Sequence, residues 1–108
     1  MSDETFYIKR GDTLFFLEYL LDGPTGLNLT GATVLFKMRA RNGAVVFSRA
    51  ATVAVATGTP TLRYAWQAGD TTTAGLFEGE FEVTFSGGQI KTFPDPGFIP
   101  IRISEDIQ

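Results

Sequence analysis

The sequence predicts an all-β fold, an immunoglobulin-like antiparallel β-sandwich of seven or eight strands. Three observations carry this. Short apolar or alternating runs recur at roughly ten-residue spacing, separated by turn chemistry. Segments with helical periodicity are missing, so crossover helices have no place. Ten phenylalanines in 108 residues let a small domain bury much apolar area with few side chains. A small barrel is the alternative closure of the same strands.

The elements follow in order. Thr5 to Ile8 forms a first short strand, closed by "KRGD", and Thr13 to Asp22 a long second one, ended by "DGPTG". Ala32 to Arg41 is the third. Asn42 and Gly43 form a hairpin signal into "AVVFS", because both residues tolerate the positive φ of a tight turn. "ATVAVA" follows, then "GTP" as a turn, then Thr61 to Trp66. After the corner "QAGDTTTAG" comes Leu76 to Phe85, which "SGG" turns into the last strand, "QIKTF" resuming after "PDPG" as "FIPIRIS". Residues 1–108 make one domain, with residues 1–4 and 105–108 expected as flexible tails.

Composition narrows the chemistry. The chain has no cysteine and no histidine, which removes disulfides, thiolate metal sites and histidine-dependent nucleophilic catalysis. Its net charge of −3 disfavours nucleic acid, which asks for a basic stripe. No apolar run reaches the length of a membrane-spanning helix, and the polar, acidic amino terminus does not read as a secretory signal. No cofactor and no metal site is expected.

Alternation sorts the side chains. On the strand from Leu76, the residues Phe77, Gly79, Phe81, Val83 and Phe85 share one face, and Glu78, Glu80 and Glu82 the other. On the third strand, Val34, Phe36 and Met38 point inward while Lys37, Arg39 and Arg41 point out. In immunoglobulin-like sandwiches the third and penultimate strands are antiparallel neighbours. Three cations then face three anions in a ladder that fixes register, each opposed pair contributing about 0.2–1 kcal/mol. Three glutamates in one shared environment are a poor acid–base pair, and no loop has the spacing that wraps a cation. Asp70 is expected to cap a single helical turn at "TTT", Gly75 to permit a positive φ or close packing before the next strand, and Trp66 to lie in the core. The tripeptide Arg10–Asp12 reads as a glycine turn.

The second strand sorts less cleanly. Phe15, Leu17, Tyr19 and Leu21 fill one face, yet Phe16 and Leu20 stand on the other beside Glu18. Contiguous exposed apolar surface points to a protein partner, so Phe16, Glu18 and Leu20 form the candidate interface. Burial beneath the amino-terminal strand or a loop is the competing reading.

The segments "IKRGDT", "LTGATVLFKMR", "YAWQAGDTTTAGLFEGEFEVTF" and "KTFPDPGFIPIRI", in this order, resemble the amino-terminal domain of phage baseplate upper proteins. The resemblance runs from about Phe6 to Ile103 and implies an immunoglobulin-like module of a tailed-phage virion. It further implies a non-enzymatic structural protein, made in the host cytoplasm and present in several copies at the tail tip, baseplate or fibre attachment. Its partners would be other virion proteins and further copies of itself. Capsid decoration is the alternative address, and host-glycan binding a third reading, poorly served by few Asn and Gln residues. Two departures stand out from the pattern. Phe15, Phe16, Tyr19 and Leu20 replace smaller or polar residues, which sharpens the interface expectation. Phe77 stands where tyrosine is common and lacks the hydroxyl that pins such a corner.

Overall fold

The computed structural model describes residues 5–14, 16–21, 27–41, 43–94, 97–105 and 107. The fold is all-β. Eight strands follow the chain: β1 (Phe6–Lys9), β2 (Leu17–Leu20), β3 (Thr33–Ala40), β4 (Val45–Val55), β5 (Thr61–Tyr64), β6 (Gly75–Thr84), β7 (Ile90–Phe93) and β8 (Ile99–Ser104). Hydrogen bonds join them in the order β1-β8-β6-β3-β4-β5-β2, with β7 beside β6 off this path. The sheet folds over on itself into a sandwich-like, nearly barrel-like body.

Strand β4 makes the fold-over possible. Its first part, Val45 to Ala51, pairs with β3, and its second, Thr52 to Val55, pairs with β5. One long strand therefore stands where the sequence suggests two, "AVVFS" and "ATVAVA". The apparent break at Arg49 is not a break, because Arg49 keeps the alternation of Phe47, Ala51 and Val53. Strand β6 is divided differently. β3 runs along one edge, while β8 (at Gly75–Gly79) and β7 (at Phe81–Thr84) share the other.

Two further expectations are corrected. The sheet is not wholly antiparallel, since β1 lies parallel to β8 with Phe6 opposite Ile101 and Ile8 opposite Ile103. The first and last strands point the same way, which a long connection across the body permits. The second strand is also shorter than Thr13 to Asp22. Thr13 and Leu14 are irregular, pairing with β5 begins at Leu17, and Asp22 and the "DGPTG" turn lie outside the described residues. Phe15 and Asn42 lie outside them as well.

The core forms where alternation places it. Val34, Phe36 and Met38 of β3 meet Phe77, Phe81 and Val83 of β6, Ile101 and Ile103 of β8, and Leu62 and Tyr64 of β5. Phe36 is fully buried, and a buried phenylalanine contributes about 1.5–3 kcal/mol. Its ring packs 4.6 Å from Tyr64 and 5.0 Å from Phe81, which ties the two layers together. Gly79 is what admits it. A Cβ there would stand 2.8 Å from Phe36 Cζ and 2.9 Å from Ile101 Cδ1, so no other residue fits without displacement. Trp66 is buried as expected, stacked on Phe6 at 5.7 Å.

Candidate protein-protein interface

Strand β2 ends the sheet, hydrogen-bonded to β5 alone among the described residues. Its inward side chains are well used. Leu17 and Leu21 are buried, and Tyr19 packs on Phe81 at 6.5 Å. The outward set is the one the alternation isolates. Phe16 is 50% exposed and Leu20 53%, so the described structure gives neither a cover from β1. Between them stands Glu18, opposite Arg63 of β5. Arg63 donates from Nε to Glu18 Oε2 at 2.6 Å, and its guanidinium lies 4.8 Å from the centre of the Phe16 ring. One arginine thus pairs with the carboxylate and lies over the aromatic ring. The result is an apolar strip, Phe16 and Leu20, divided by an internally compensated ion pair.

The charge ladder lies on the outer face of β3 and β6, in the register the sequence suggests but with different pairing. Lys37 stands opposite Glu80 and Arg39 opposite Glu78. Arg39 bonds its direct partner, Nε to Glu78 Oε1 at 3.0 Å. Lys37 instead reaches diagonally to Glu82 Oε2 at 3.2 Å, a route open because Leu35, opposite Glu82, carries no charge. Glu80 and Arg41 therefore make no ion pair among the described residues. Arg41 lies past the end of β3 and donates its backbone N–H to Leu76 O at 3.1 Å. The expected three-by-three ladder is a two-by-two one.

The polar node that sequence reading missed is at the corner after β5. Asp70 has a fully buried carboxylate. It accepts from the Tyr64 hydroxyl at 2.5 Å, the Gln67 backbone N–H at 2.9 Å and Arg49 Nε at 3.1 Å. The expected helical turn is absent. Gln67 to Asp70 is instead a tight turn closed by Asp70 N–H on Gln67 O, and the carboxylate caps backward onto Gln67 rather than forward onto the threonines. Burial, then the bond to Asp70 and its charge, push the Tyr64 hydroxyl far above its ordinary pKa. Tyr64 supplies the corner hydrogen bond that Phe77 cannot. The alternation of β4 as one continuous strand turns Arg49 to the inner face, a pattern hidden while the segment is read as two strands.

The same corner anchors the Arg10–Asp12 turn. Gly11 has φ +88°, and its N–H donates to Thr71 O and Oγ1, both at 3.0 Å. Thr71 Oγ1 donates onward to Asp12 O at 3.1 Å. Gly75 has φ +148°, the first of the two roles expected of it. Among the described residues, no group of Asp and Glu side chains is arranged to hold a metal ion, and no helix is long and apolar enough to cross a membrane. No protein-family model, curated protein or solved structure matches the chain.

Proposed function

We propose that this protein is a non-enzymatic structural module of a tailed-phage virion, acting in several copies through protein–protein contacts at the tail tip, baseplate or fibre attachment. The observation that carries the contact-surface reading is the strip on β2, where Phe16 and Leu20 flank a carboxylate already neutralised by Arg63. Covering such a strip removes apolar atoms from water, and the Arg63–Glu18 pairing leaves no lone charge to be buried with them. The inventory agrees, because a chain without histidine or cysteine lacks the commonest catalytic bases and nucleophiles near neutral pH. The phage assignment itself rests on the ordered segments that resemble baseplate upper proteins. Immunogold labelling of intact particles of the encoding phage tests it. Label at the tail end supports the assignment, label over the head moves the module to capsid decoration, and unlabelled particles overturn a virion role.

A further inference from the structure

We propose that β2 pairs antiparallel with β2 of a second copy of this chain, across a two-fold axis at Glu18, so that Phe16 of each copy lies opposite Leu20 of the other. The inference deepens the reading of β2 as a contact surface and rests on it.

The strand edges of the fold differ in how they discourage pairing. Edge strands are kept apart by charged side chains, especially lysine, by proline or by bulges. β1 carries Lys9 and β7 carries Lys91. β2 carries only Glu18, and Arg63 draws that carboxylate back over its own sheet, at 2.6 Å. No charge is left pointing across this edge, and its regular Leu17–Leu20 backbone is free to continue the ladder among the described residues.

The side-chain pattern then selects both the occupant and the register. Opposed residues share a face only when their numbers sum to an even value, since side chains alternate along each strand. Centring the axis on Glu18 sets Phe16 against Leu20 on the outer face, twice. On the inner face it sets Leu17 against Tyr19, twice. Every apolar residue of the strip meets an apolar partner. The two Glu18 carboxylates stand opposite each other at the axis, in the order Arg63, Glu18, Glu18, Arg63 across the joined sheet, and each is drawn to its own Arg63, which limits the repulsion between them. Centring on Tyr19 would instead set Glu18 against Leu20 and leave Phe16 beyond the pairing. An isologous contact needs one self-complementary patch, and the strip provides it.

The chain has no cysteine, so engineered pairs report register cleanly. Phe16→Cys and Leu20→Cys chains, mixed and mildly oxidised, are expected to cross-link as a heterodimer. Phe16→Cys alone should not, because its two copies would stand about 13 Å apart. Sedimentation of the unmodified full chain over a concentration series should show reversible dimer, weakened about tenfold or more by Leu20→Lys, which charges the edge. Monomer at every concentration up to the millimolar range overturns the pairing. So does cross-linking of Phe16→Cys alone as fast as the mixture. If such a monomer still labels the phage tail, self-pairing fails while the virion reading stands. A dimer in solution with no chain in the particles does the opposite: self-pairing stands and the virion reading fails.

Discussion

Replacing Tyr64 by phenylalanine isolates the corner node. Tyr64 is fully buried, and its hydroxyl donates to a carboxylate that is itself fully buried. The ring and its stacking on Phe36 and Phe47 stay, so only the hydrogen bond is lost. A hydrogen bond to a charged group contributes roughly 1.5–3 kcal/mol. Asp70 keeps Arg49 and the Gln67 N–H, which limits the loss, so about 2 kcal/mol is expected. In urea denaturation this appears as a lower midpoint at unchanged slope. In thermal melts it is a fall of about 8 °C or more. The pH dependence gives a second readout. The folded-state pKa of Tyr64 is raised above the unfolded value near 10, so its contribution is complete below that pH and is lost as pH rises beyond it. Tyr64→Phe should therefore flatten that alkaline decline. A loss below about 0.5 kcal/mol, or an alkaline limb identical to that of the parent, would refute the node.

Three further outcomes follow. Gly79→Ala drives a methyl into Phe36 and Ile101 and should cost about 1–3 kcal/mol in the same urea assay, although alanine is otherwise the milder residue in a strand. Glu78→Ala and Glu82→Ala should each lose about 0.2–1 kcal/mol, with salt reducing the difference, whereas Glu80→Gln stays within about 0.5 kcal/mol because it removes no ion pair among the described residues. Trp66 is the sole tryptophan and is covered by Phe6, so Phe6→Ala should shift its emission to the red without unfolding the chain, read against unchanged far-ultraviolet dichroism.

Period-two alternation carried most of what the sequence could tell. It sorted β3 and β6 correctly because each has one buried and one wet face, and it isolated Phe16 and Leu20 because β2 breaks that rule. The pairing of β3 with β6 came instead from immunoglobulin-like topology, with the opposed charges on the two outer faces as its consequence. What it could not give depends on reach and on distant partners. Lys37 is long and flexible, so its choice of Glu82 over the directly opposed Glu80 follows from side-chain geometry rather than register. Arg49 falls between the runs "AVVFS" and "ATVAVA", where the sequence assigns it no role. Its inward turn makes sense only beside Asp70, twenty-one positions later and on another strand's corner. Parallel pairing of β1 with β8 was equally hidden, because direction leaves no mark on alternation.

Separating heads from tails of purified particles of the phage that the proposal implies, then quantifying this chain in each fraction by mass spectrometry, tests the proposed assignment most directly. A tail module follows the tail fraction at several copies per particle. Absence of the chain from both fractions contradicts the assignment.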